Sequence, residues 1–138
     1  MQSLYDIKAI RIMNLTSALR GNAAFTAVCA AACLALTGPI SSHAAIPDPN
    51  WTIGLGSMLA LYVLILLLAA ARPIRWLVKT IIALDWSYVA IATAFFLTHA
   101  DRADGPGMAL IIVSTALVAL FAWLQMRGLG AIRQEEAQ

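Results

Sequence analysis

The chain has 138 residues, 62% of them hydrophobic and only 12% charged, with nine Lys and Arg against seven Asp and Glu, a formal net charge of +2 and a mean hydropathy of +0.83. Soluble chains are about 45–50% apolar and about a quarter charged, so a soluble domain is excluded, and with it the disordered, fibrous and disulfide-scaffold classes. Charge-free runs between Arg20 and Asp48, Asp48 and Arg72, and Asp104 and Arg127 each supply the ~20 residues that a helix needs to cross a bilayer. Four spans leave only short tails and loops, too little for a separate catalytic domain.

Residues 1–21 read as a cytoplasmic or interfacial segment, with Ser3 as a helix cap and Asp6 three residues on; Met13 is an alternative start. Span one covers about residues 22–38, is rich in alanine, and is punctuated by Gly38-Pro39, because proline has no N–H with which to continue a helix. Residues 1–44 also have the layout of a cleavable signal peptide, with a basic start, an apolar stretch and Ser42-His43-Ala44 as the small-residue cleavage site. Against that reading, the basic region is long, and Asn22, Thr26, Cys29 and Cys33 share one helical face, an arrangement that a retained, packed span uses.

Pro47-Asp48-Pro49-Asn50-Trp51 is a turn leading into span two, about 52–71, which carries no charge. Arg72-Pro73 stops that helix and starts the next, since proline fits the first helical turn, giving span three at about 74–98. His99 to Gly107 is a polar loop broken by Gly105-Pro106-Gly107, followed by span four at about 107–126 and a cytoplasmic tail, 127–138. Short connections favour antiparallel neighbours, so the expected fold is all-α, a single-domain, up-down four-helix membrane bundle.

Cytoplasmic loops hold an excess of Lys and Arg. Lys8, Arg11 and Arg20 precede span one, Arg72, Arg75 and Lys79 surround the second turn, and Arg127 and Arg133 follow span four, while Arg102 alone falls on the other side. Both termini are therefore expected in the cytoplasm, with Trp51 at the outer interface and Trp76 and Trp123 at the inner one.

Asp85 stands out among the polar residues. It lies twelve positions beyond Pro73, roughly 18 Å along the third span, near the bilayer midplane. A carboxylate there costs roughly 2.5–3.5 kcal/mol on insertion scales, so Asp85 should face protein, either as an interhelical tie or as part of a proton or cation relay. At comparable depth the other spans offer Cys33, Tyr62, and Ser114 or Thr115. Ser114, Val118, Phe121 and Gln125 form one stripe that should face inward, and Gln125 is expected to pair with Asn22 as an amide tie. Cys29 and Cys33, one turn apart, are in poor geometry for a mutual disulfide and read as small buried hydrophobes. Lys79 should snorkel to the cytoplasmic surface.

His43, Asp48, His99, Asp101 and Asp104 fall in the two outer loops, at spacings that match no tight metal motif. No phosphate cradle, zinc-protease signature or nucleophile elbow occurs. The expectation is a non-enzyme with no catalytic residue, metal or cofactor, and basic residues that serve orientation and anionic lipid rather than nucleic acid.

Three short motifs, Gly21-Asn22-Ala23-Ala24-Phe25, Leu84-Asp85-Trp86 and the run Ala122 to Leu129, give the chain a resemblance to uncharacterised small four-span inner-membrane proteins of bacteria over residues 13–130. That resemblance implies architecture and location, and no activity. The function expected is a structural or accessory role, packing against itself or a larger membrane complex. The rival is a small oligomeric transporter or channel that uses Asp85 for a proton or cation.

Overall fold

The computed structural model describes residues 2–135, with side chains at positions 6, 7, 9, 10 and 13–130. The described chain is helical, comprising α1 (Gln2–Ala35), α2 (Thr37–His43), α3 (Pro49–Ala71), α4 (Arg75–His99) and α5 (Gly105–Glu135), joined by turns. Four segments are long and apolar enough to cross a membrane: Met13–Ala35 within α1, α3, α4, and Gly105–Gly130 within α5.

The first helix departs from the expectation of a separate leading segment. It runs unbroken for 34 residues, because no proline and only one glycine, Gly21, interrupt a stretch of good helix formers. The candidate span within it is Met13–Ala35. The Ser3 capping side chain and the side chains of Lys8, Arg11 and Arg133 lie outside the described ones. At its far end α1 bends at Leu36, and Gly38-Pro39 sits in the first turn of α2, where the missing proline N–H costs nothing.

Helix α1 is the hub, packing against α3 on one side and α5 on the other, while α4 lies on α5. Neighbours run antiparallel: Gly56, early in α3, meets Cys33 and Leu34, late in α1, and Gly128, late in α5, meets Leu15, early in α1. Helices α3 and α4 share little backbone contact, yet their side chains meet across the bundle: Leu66, Ala69 and Ala70 pack with Leu77, Val78, Ile81 and Ile82 around Leu15 and Leu19. The outward faces carry large apolar side chains such as Leu61, Leu64, Leu68 and Ile91, the last 70% exposed, as expected of helices bathed in lipid.

At the opposite end, the bundle is closed by local hydrogen bonds. Helix α2 ends in a Schellman turn, with the Ile46 N–H donating to Ser41 O at 2.8 Å and the Ala45 N–H to Ser42 O at 3.3 Å. Ala45 occupies the left-handed position at φ 55, where glycine is the usual residue. Asp48 caps α3 through the Asn50 N–H at 2.9 Å, with Pro49 in the first turn. The Ser41 and Thr52 hydroxyls, both buried, bond at 2.6 Å and tie α2 to α3.

Without a hydrophobic drive between helices in lipid, close backbone approach carries much of the packing. The α1–α3 contact uses Gly56 for this: a Cβ there would lie 2.9 Å from both Cys33 Cβ and Leu34 Cγ, whereas a Cβ at Gly54 meets nothing within 4 Å. Gly54→Ala should therefore be neutral or stabilising by up to ~1 kcal/mol through helix propensity. Gly56→Ala should destabilise in spite of the same propensity gain. Reversible unfolding of the two variants in mixed micelles checks the opposite signs.

Candidate functional site

Asp85 is buried, 3% exposed, at the centre of a polar cluster assembled from all four long helices. From α3 the Tyr62 hydroxyl donates to Asp85 Oδ1 at 2.8 Å, and from α1 the Asn22 amide donates to Asp85 Oδ2 at 2.8 Å. Thr26, one turn beyond Asn22, donates its hydroxyl to Asn22 Oδ1 at 3.3 Å and so orients the amide with its NH2 toward the acid. Tyr62 has a second acceptor within reach, the Ile81 carbonyl at 3.3 Å. From α5, Gln125 stands beside the carboxylate, fully buried, with neither amide atom in hydrogen-bond geometry with a partner among the described residues.

These side chains converge because their positions along the spans match. Tyr62 is nine residues before Ala71 and Asp85 ten beyond Arg75, roughly 14–15 Å from the same end of the bundle at 1.5 Å per residue. The expected Asn22–Gln125 pair is replaced by Asn22–Asp85, a contact that puts Asn22 at the depth of the acid and not at the rim.

The remaining candidates lie apart from this cluster. Ser114 bonds the Tyr88 hydroxyl at 3.2 Å, tying α4 to α5, and donates to Ile111 O at 3.1 Å. Cys33 is buried beneath Gly56, and both Cys29 and Cys33 are free thiols. Val118 and Ala122 are buried on the inward stripe of α5, and Phe121 meets Phe25 with ring centroids 6.3 Å apart. Lys79 is exposed, and no ion pair to Asp85 exists among the described residues. The Arg127 guanidinium lies over the Trp123 ring at 4.6 Å, and the Trp86 indole N–H points at Met126 Sδ at 3.3 Å.

The acids and histidines of the Gly38–Trp51 and His99–Gly107 segments do not gather into a ligand set. Among the described residues no three His, Cys, Asp or Glu side chains form a group that could hold a metal ion. Asp48 serves as a cap, and His99 stacks on Phe95 at 4.4 Å between ring centroids. His43 and Asp104 do meet, Nδ1 to Oδ2 at 2.5 Å, and the Asp104 N–H donates to His43 O at 3.3 Å. The other carboxylate oxygen of Asp104 caps α5 by accepting the Gly107 N–H at 2.9 Å. Gly107 itself lies so close to the His43 carbonyl that a Cβ would stand 1.9 Å from its oxygen, so only glycine fits. One carboxylate thus joins the end of α2 to the start of α5.

No protein family, curated protein or solved structure matches the chain.

Two outcomes follow from this geometry. Tyr62→Phe removes one donor from a buried carboxylate and should destabilise the bundle by ~1 kcal/mol, within the range of interhelical polar contacts in membranes, as read by reversible unfolding. At the exposed corner, the His43 side chain and the Gly107 N–H hold the Asp104 carboxyl below the usual carboxylate range. A group whose folded value is depressed contributes stability above its unfolded value, ~3.9 for Asp, and loses it as pH falls through the folded value. Protection of the Asp104 and Gly107 amides from hydrogen exchange should drop on acidification below about pH 4, and the drop should be absent in Asp104→Asn.

Proposed function

We propose that the protein is a non-enzymatic structural or accessory component of a membrane, surrounded by lipid and packed against further copies of itself or a larger membrane complex. The observation that carries this reading is the closure of the polar centre. Asp85, Asn22 and Gln125 are each 3% exposed or less, and the acid is met by neutral donors from two other helices. Two surface grooves, one along Ile74 to Lys79 and one between Ala92, Phe96 and Ile111 to Ala119, lie elsewhere and do not lead to it. Such a centre fixes how helices pack and lines no pathway.

The proposed location is a bacterial inner membrane with both termini in the cytoplasm. The support is the distribution of Lys and Arg, which favours the end of the bundle carrying Arg72, Arg75 and Lys79 over the end carrying Arg102. A second reading, a small oligomeric transporter or channel for a proton or cation, is favoured by one observation, the unpartnered Gln125 amide beside Asp85.

Crosslinking of the tagged chain in native membranes is expected to recover a multimer or a heteromeric complex, and proteoliposomes of the purified chain are expected to pass protons and alkali cations no faster than empty vesicles. Recovery of monomer alone counts against the structural reading. A flux that Asp85→Asn abolishes moves the assignment to transport.

A further inference from the structure

The polar groups around Asp85 are all neutral. Asn22 and Thr26 face it from α1, Tyr62 from α3, Gln125 from α5, and the Ile81 carbonyl from α4 itself, so among the described residues Tyr62 is the one other titratable side chain in the cluster and no cation is in it. A carboxylate fixed permanently as an anion is normally met by Arg or Lys. A set of neutral donors with spare partners has a different property: it can satisfy the group in two charge states.

The geometry of the cluster gives that property. The Tyr62 hydroxyl has two acceptors, Asp85 Oδ1 at 2.8 Å and Ile81 O at 3.3 Å, but a single hydrogen to donate. The Gln125 amide is fully buried beside the same acid, with neither amide atom in hydrogen-bond geometry with a partner among the described residues. The Asn22 amide, by contrast, is held in one orientation by Thr26 and always offers hydrogen to Oδ2.

We propose that Asp85 is a reversible proton-binding site that takes its proton on Oδ1, with Tyr62 rearranging around it and Asn22 staying fixed. On binding, an O–H bond forms at Oδ1 and the carboxylate charge is neutralised. The Tyr62 hydrogen turns from Oδ1 to Ile81 O, leaving the phenol oxygen as the acceptor for the one new Oδ1–H. No electron moves, and the reverse step returns the proton. Asn22 continues to donate to Oδ2 in both states. Binding a proton requires neither flux nor a partner, so the vesicle and crosslinking outcomes above are decided separately from this one.

The test is infrared difference spectroscopy on the full chain in lipid nanodiscs, with 13C-carboxyl aspartate, stepped from acid to alkaline pH. One aspartic C=O band slow to shift in D2O, as burial requires, is expected to disappear on alkalinisation, and to be absent from Asp85→Asn. Tyr62→Phe removes a donor to the ionised form and an acceptor to the protonated one; the bond to the charged form is the stronger, so the midpoint should move upward by about one pH unit, a roughly tenfold gain in proton affinity, and Gln125→Met should shift the band's frequency. If Asp85→Asn does not fold, the labelled wild type with the Tyr62 and Gln125 variants decides. A slow-exchanging carboxyl that never titrates, a midpoint indifferent to both variants, or a band displaced by sodium at constant pH would each overturn the assignment, the last in favour of a cation site.

Discussion

One buried carboxylate, in the middle of helices apolar enough to cross a membrane, constrains this bundle more than any apolar contact does. Asp85 needs donors, and the apolar side chains around it have none, so the helices must bring Tyr62 and Asn22 within 2.8 Å of its two oxygens. Turning α4 by a single residue, 100° about its axis, would swing the acid off that face and toward the bilayer. The cost of a mid-span acid is roughly 2.5–3.5 kcal/mol, and hydrogen bonds to a charged group contribute roughly 1.5–3 kcal/mol each, so two donors are of the size needed to offset it and one is marginal. The backbones of α1 and α4 do not touch, yet their rotations are locked to one another through Asn22 and Asp85.

The two ends of the bundle are held by different physics. Toward the Arg72-Pro73 turn, Leu15, Leu19, Leu66, Val78 and Ile81 are fully buried and interlock as in a soluble core. Toward the other end, hydrogen bonds take over: the Ser41–Thr52 hydroxyl pair ties α2 to α3, Asp48 caps α3, and the double use of Asp104 ties α2 to the start of α5. That end also contains Ala45 in a left-handed conformation, which costs an L-residue roughly 1–2 kcal/mol. The surrounding hydrogen bonds hold the Schellman turn in spite of it.

Hydropathy made the spans legible because a bilayer admits few solutions: charge-free runs of this length must be helices. It also made Asp85 and Tyr62 visible as residues at one depth, since both lie in helices whose ends are marked by Pro49, the Arg72-Pro73 turn and the Gly105–Gly107 breaker. The hidden quantity was the depth of Asn22, which bonds Asp85 across the bundle although Arg20 stands two residues before it. Arg20 is exposed and can extend along the helix surface, so it does not mark the depth at which the polar centre begins. Asn22 and its expected partner Gln125 both stand at Asp85 without bonding each other. Gly38-Pro39 misled for a similar reason: proline excludes itself from helix interiors but not from first turns. The His43–Asp104 pair had no local signature, because 61 residues separate its members and only the tertiary fold joins them.

The choice of partners for Asp85 bears on what such an acid is for. An Arg or Lys would have given a stronger tie, and cations are present nearby in sequence, with Lys79 six residues earlier on the same helix. Six residues place it on another face, where it is exposed. The acid is left with amides and a phenol, groups that donate or accept according to what they meet. Among these only Asn22 is locked, by Thr26, and its lock assigns Oδ2 as the permanent acceptor. The variable chemistry is thereby confined to Oδ1, the oxygen whose partner Tyr62 has somewhere else to point its hydrogen. A centre built only to hold helices together would gain from locking every partner. This one locks one oxygen's donor and leaves the other's free to turn.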